Sequence, residues 1–480
     1  MTGRAWRPSD PTLASPMTLP STIGELRGSE YRQRTVRAEL RDNLVRRLRQ
    51  GAPLFPGIVG YDDTVVPQVE HAILAGQDII LLGERGQAKS RLIRQLVGLL
   101  DEQLPIIAGS EVNDHPYQPI SRYGRDRVAE QGDATPIAWI GPDQRFGEKL
   151  ATPDTSIADL IGEVDPIRVA EGRYLSDELT IHYGLLPRVN RGLFAINELP
   201  DLAERIQVGL LTCMEERDVQ IRGFRVRLPL DVVVIATANP EDYTNRGRII
   251  TPLKDRFGAQ VRTHYPRRVE EEVAIIEAEA ASFDDLPVRL HVPAYMRELV
   301  AEVTHLARRS PQVNQRSGVS VRLSIANYES LCASAVRRAI RLQEVEAVPR
   351  ISDLAALAAS TWGKLELEAF EESDDHMLLP KLLRSACGNV FRRRFALQEF
   401  TALVARFEQG LRLEVGDAVE LDRYTAAGRE LGGMERVLAG LEEPVTPATV
   451  AAALEFVLEG LHVSKRLNKT QVDGTTVYGG

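Results

Sequence analysis

Cysteine is scarce in this chain, and it follows no usable pattern. Cys213, Cys332 and Cys387 stand far apart among 480 residues, with no CxxC pair and no zinc-ligand spacing. That excludes a disulfide framework and a structural zinc site, and it points to a reducing compartment, the cytoplasm. No apolar run approaches the ~18 residues of a membrane span. The first residues, rich in Pro and Ser, lack the apolar stretch of a secretory signal. Neither charge dominates. With 59 basic and 68 acidic side chains the net charge is −9, which argues against non-specific nucleic-acid binding. No internal repeat is visible. Hydrophobic residues at 43% and charged residues at 26% exclude wholesale disorder, and the length suits roughly two to four domains of about 150 residues.

What is present is an alternation of strands and helices. Residues 1–23 are expected to form a mobile tail. From Ser29 to Gln50, Val36, Leu40, Leu44 and Leu48 keep helical spacing among many arginines, and Gly51 and Pro53 stop the helix. Two readings stand for it: a solvated helix packed on the next domain or subunit, or a nucleic-acid contact. Asp78–Leu82 (DIILL), Leu193–Ile196 (LFAI) and Val232–Ala238 (VVVIATA) read as buried strands, each of the first two followed by a helix. Such alternation predicts an α/β fold with a parallel sheet covered on both faces. Val219–Leu228 reads as a hairpin about Gly223. Beyond Pro287 helical periods take over. The last helix is expected to end near Leu461, and residues 474–480 to fray.

The sharpest motif is Gly83-Glu84-Arg85-Gly86-Gln87-Ala88-Lys89-Ser90, between a strand and a helix. A phosphate loop needs backbone N–H groups converging at a helix N-terminus, a lysine for the β- and γ-phosphates, and a hydroxyl for Mg²⁺. Lys89 and Ser90 offer those two side chains. Ala88 breaks the pattern where glycine is expected, which is tolerable only if the backbone there accepts a Cβ. A dinucleotide fingerprint fails at Arg85, and a plain strand–helix turn is the competing reading.

Three further elements belong to nucleotide hydrolysis. LFAI runs into Asn197-Glu198, where Glu198 is the candidate base that orients water. Asn197 can accept from a metal-bound water but brings no charge. VVVIATA ends in Asn239-Pro240, an amide placed to meet a γ-phosphate or the water, or else ordinary turn chemistry before proline. Arg256, in LKDRF, and Arg322, in VRL, are candidate arginines for a γ-phosphate; each also reads as a solvated or ion-paired surface residue. Each is weak alone. The ordered set is strong.

In this order the elements resemble AAA+ ATPases, and closely the branch of MoxR proteins and the magnesium-chelatase I subunit. The resemblance runs from Phe55 to about Leu331. It implies a P-loop AAA+ core at 52–287 after an N-terminal tail and Arg-rich helix at 1–51. A helical lid at 288–370 and a C-terminal helical extension at 371–480 follow. Within that frame Val59 and Gly60 match the adenine-side loop, residues 83–90 Walker A, and Asn197-Glu198 Walker B. Asn239 matches sensor 1, Arg256 the arginine finger and Arg322 sensor 2. Asp159–Gly162 through His182–Leu186 resembles the branch's helix-2 insertion. The 219–228 hairpin, with Arg222, Phe224 and Arg225, matches its second projecting element.

The resemblance implies ATP and Mg²⁺ as cofactors and a homo-oligomeric ring, a hexamer. It also implies a protein client or metal-enzyme partner, with a von Willebrand factor A domain protein as the expected companion. Magnesium chelatase's ATPase subunit is the narrower alternative, and a nucleotide-gated scaffold with little hydrolysis is another, given Ala88 and Asn197. A sigma-54 activator would carry a GAFTGA loop, which the sequence does not contain.

Overall fold

The computed structural model describes residues 19–164, 178–216, 228–239, 248–314, 317–367, 375–472 and 475–480. The expected hairpin with Arg222, Phe224 and Arg225 lies almost entirely outside them, as does the first part of the expected tail.

A five-stranded, all-parallel sheet organises the first half. Its strands are β1 (Ile79–Leu82), β2 (Phe146–Leu150), β3 (Gly192–Asn197), β4 (Val232–Ala238) and β5 (Ala259–Arg262). The spatial order is β2-β3-β4-β1-β5, so the most β-branched strand is central. Every residue of β4 is buried, as a strand covered on both faces requires. Alternate residues feed two separate cores: Ile80, Phe194, Ile196 and Val234 face one side, and Ile79, Leu81, Leu193, Val233 and Ile235 face the other.

The Arg-rich helix α1 (Val36–Gln50) belongs to this body. Val36, Leu40 and Leu44 join the second core beside α2 (Val65–Ala75) and α3 (Lys89–Leu96). Burying each such side chain contributes about 1.5–3 kcal/mol. Polar side chains of α1 also anchor it to this body. Arg37 reaches the Gly76 and Val232 carbonyls, both at 2.9 Å, and Asp78 at 2.7 Å. Glu39 is buried in a two-pronged pair with Arg145, at 2.7 and 2.6 Å. These contacts hold α1 at the amino ends of the strands, so the helix is packed on this domain, with Arg41, Arg46 and Arg49 exposed. On the other face α4 (Glu204–Glu216) covers the sheet through Ile206, Leu210 and Cys213.

Beyond β5 come α6 to α8 and then two long C-terminal helices. In chain order α5 (Thr251–Arg256) precedes β5, followed by α6 (Val269–Glu279), α7 (Ala294–Arg309), α8 (Arg322–Arg341), α9 (Asp375–Arg394) and α10 (Pro447–Val463). One hydrophobic cluster joins α7, α8, α9 and α10 through Met296, Leu299, Leu331, Phe391 and Phe456. Gly460 makes this possible, since a Cβ there would lie 2.2 Å from the Phe391 ring. Within the Arg392–Arg394 run, Arg393 meets Glu302 of α7 at 3.0 Å and Arg394 meets Glu298, while the exposed Arg392 donates to Asn389 at 2.7 Å.

The strands Leu104–Ile107 and Ile137–Ile140, not anticipated from the sequence, form an antiparallel pair. One expectation is corrected: the C-terminus does not fray, since Thr475–Gly479 pairs with Leu413–Val415 and Asn468–Val472 in a small antiparallel sheet. Tyr478 is buried there and donates to Glu459, which also accepts from Lys469 at 2.7 Å.

Candidate functional site

The carboxyl ends of β1, β3 and β4 meet at one edge of the sheet, where open α/β sheets place their ligands. From β1 the chain enters the loop 83–88 and then α3. The Gly83 N–H donates to Ala238 at the end of β4 (3.1 Å), tying the loop to that edge. Gln87, buried, shapes the turn from inside: its Oε1 accepts from the Glu84 N–H at 3.1 Å and from the Thr263 hydroxyl at 2.6 Å. The Tyr61 hydroxyl reaches the Gln87 carbonyl at 2.9 Å, and burial pushes this phenol up to about 12. Lys89 lies buried over the loop, donating to the carbonyls of Gly83 (2.5 Å) and Glu84 (2.9 Å). Burial raises the Glu84 carboxyl above its ordinary range, against the Tyr265 hydroxyl, Arg308 and Lys89.

Ala88 takes φ +55° and ψ +16°. This left-handed backbone is the one glycine favours, so alanine holds the loop's shape at a strain of about 1–2 kcal/mol. Ala88→Gly should therefore raise unfolding stability by about 1 kcal/mol, read as a higher denaturant midpoint at unchanged slope.

Across from the loop, the Ser90 hydroxyl is 3.5 Å from Asn197 Oδ1 at the end of β3. Glu198 follows in the left-handed region at φ +55°, its N–H donating to the Thr237 hydroxyl of β4 at 3.0 Å. Asn239, at the end of β4, is buried, and its Oδ1 has no hydrogen-bond partner among the described residues. Lys89, Ser90, Asn197, Glu198 and Asn239 thus come to one edge, as their positions at strand ends foretold.

Beside the loop opens a cavity of about 200 Å³, walled by Ile58, Val59, Tyr61, Ala88, Ile275 and Ile325, with Arg322 at its margin. Gly60 is not on this wall; at φ +80° it abuts Glu271 of α6. Ser320, just before α8, also touches the loop, since a Cβ on Gly86 would meet its hydroxyl at 1.9 Å. The Tyr265 hydroxyl donates to the Arg85 carbonyl at 2.8 Å.

No protein-family model matches the chain. It is 27% identical over 291 residues to the magnesium-chelatase subunit ChlI of Nephroselmis olivacea, covering 57% of this chain and 76% of that protein. To ChlI-1 of Arabidopsis thaliana it is 28% identical over 248 residues, half of this chain and 54% of the relative. This chain is an AAA+ ATPase similar to the ChlI subunit of magnesium chelatase. Among solved structures, the BchI–BchD complex of magnesium chelatase covers 68% of this chain and 98% of its own, at 21% identity. Its TM-score is 0.35, too loose an overlay to add to the assignment.

Other expected positions of this AAA+ ATPase fall elsewhere. Arg256 ends α5 half-exposed, paired with Glu215 of α4, and does not line the cavity. The expected insertion appears as the antiparallel pair Gly162–Val164 and Ile181–Tyr183, with residues between them outside the described set. Residues that the sequence reading missed include Tyr61, Thr237, Thr263 and Glu148. Only Glu148 carried any signal, as a lone acid in the weakly apolar FGEKL.

Proposed function

We propose that this chain binds ATP with Mg²⁺ and hydrolyses it as a homo-oligomeric ring, a hexamer, and that the cycle remodels a protein client or metal-enzyme partner. The observation that carries the reading is the buried Oδ1 of Asn239, without a hydrogen-bond partner among the described residues, at the same sheet edge as Lys89, Ser90 and Glu198. A buried polar atom without a partner marks a place where a ligand completes the hydrogen bonding.

In this reading the loop N–H groups and the α3 N-terminus hold the phosphates, and Lys89 leaves the loop carbonyls for the β- and γ-oxygens. Val59, Tyr61 and Ile325 wall the space for the base. Ser90 and Asn197 present a hydroxyl and an amide oxygen, hard donors that suit Mg²⁺, a cation commonly held by few protein groups together with phosphate and water. When bound, the ion neutralises charge building on the β- and γ-oxygens. Glu198 accepts a proton from the attacking water, and Asn239 orients that water or the γ-phosphate. Arg322 is the lid's contact.

Arg256 stands on the outer surface, where it suits a neighbouring subunit's γ-phosphate. Arg256→Ala should leave ATP affinity intact and cut phosphate release per assembled subunit about 10³-fold. The check is phosphate release across protein concentration. Activity per subunit that rises with concentration in the wild type supports the ring, and a flat profile counts against both ring and finger.

A partner with a von Willebrand factor A domain is the proposed companion, on the family resemblance. A cytoplasmic location accords with three buried cysteines, none of them in a disulfide; no described helix is long and apolar enough to cross a membrane. The strain at Ala88 and the uncharged Asn197 favour a second reading, a nucleotide-gated scaffold that turns over slowly. The named relatives favour a third, the ATPase subunit of a magnesium chelatase. Reconstitution with the porphyrin-binding subunits tests it.

A further inference from the structure

Asn197 is uncharged where a metal–nucleotide site calls for a carboxylate. On the neighbouring strand β2, Glu148 lies opposite Ala195, and Asn197 follows two residues later on the same face of the sheet. Glu148 Oε1 accepts from Asn197 Nδ2 at 2.6 Å. That contact decides the amide's orientation, because a carboxylate can accept only from the nitrogen end. Asn197 Oδ1 is thereby aimed at the hydroxyls of Ser90 (3.5 Å) and Thr237 (3.4 Å). Arg94, one helical turn after Ser90 on α3, grips Glu148 at 2.8 and 3.2 Å and fixes the carboxylate in place.

We propose that Glu148 is the positioning residue of the Mg²⁺ site: it supplies from β2 the negative charge missing at Asn197 and holds the Asn197 amide oxygen toward the metal side. This rests on the reading of the site as one for nucleotide and Mg²⁺. The acceptor and the charge that one aspartate would combine are divided here between two strands. The two positions are therefore interdependent. A carboxylate at 197 beside Glu148 places like charges at hydrogen-bond distance, which disfavours ionisation of both. Exchanging the two roles, with an amide at 148 and a carboxylate at 197, restores one charge and one donor–acceptor contact.

The test is calorimetric binding of ADP to the full chain, in EDTA and then with Mg²⁺, which separates the phosphate loop from the metal side. Glu148→Gln should bind ADP in EDTA as the wild type does and lose about tenfold or more of the tightening that Mg²⁺ brings, the usual scale for a residue that orients a metal ligand. Asn197→Asp alone should gain nothing. The double variant Glu148→Gln/Asn197→Asp should recover the Mg²⁺ tightening to within about threefold of wild type, an outcome that misfolding or a merely structural role cannot produce. A Glu148→Gln protein with the full Mg²⁺ effect overturns the proposal, and so does a double variant as impaired as the single one. Wild-type protein that binds no ADP in either condition overturns the nucleotide reading itself.

Discussion

Lys89→Ala should abolish measurable ATP binding. The ammonium is buried at the start of α3, where it donates to the carbonyls of Gly83 and Glu84 in its own loop. Those carbonyls hold the charge over the place where phosphate oxygens would sit, so the lysine needs only a short swing to reach them. Charge-assisted hydrogen bonds contribute about 1.5–3 kcal/mol each, and two to phosphate oxygens amount to a factor of several hundred or more in affinity. Titration with a fluorescent ATP analogue reads the loss directly, and a melting curve beside it shows that the variant is folded. Affinity within tenfold of wild type would remove Lys89 from the phosphate site.

Glu198→Gln should leave ATP affinity close to wild type and lower phosphate release by about 10²–10⁴-fold, the scale of a lost general base. The substitution is nearly isosteric. The left-handed backbone at this residue is held by the N–H bond to Thr237, which the variant keeps. What disappears is the capacity to take a proton. Single-turnover phosphate release at saturating ATP separates that step from binding. Hydrolysis at the wild-type rate would assign the base elsewhere. Binding lost together with hydrolysis would mean that Glu198 supports the loop's shape.

Much of this arrangement was legible in one dimension because its signals are local. A phosphate loop is a strand, a turn and a helix in succession, so Gly83–Ser90 declared itself through spacing alone. The two other buried strands were visible as apolar runs, and the polar residues closing them, Asn197-Glu198 and Asn239, fall at one sheet edge because parallel strands end together. By contrast, β2 was not visible. Phe146–Leu150 is only partly buried at the edge of the sheet, so it lacks the continuous apolar run of a central strand. The C-terminal sheet was missed for a related reason: its strands are short, and one of them, Leu413–Val415, comes from a part of the chain far upstream of the other two.

The sequence by itself determined the class of the fold, the order of its motifs and the two departures from the usual pattern, at Ala88 and Asn197. Tertiary structure alone decided what those departures mean. Whether Ala88 is strained depends on a backbone angle that no neighbouring residue dictates. Whether Asn197 lacks a charge or shares one depends on Glu148, 49 positions away in sequence and brought within hydrogen-bond distance by the pairing of two strands. The fate of the arginines in α1 and α9 likewise waited on partners from other elements. Composition counts charges, but only packing assigns them.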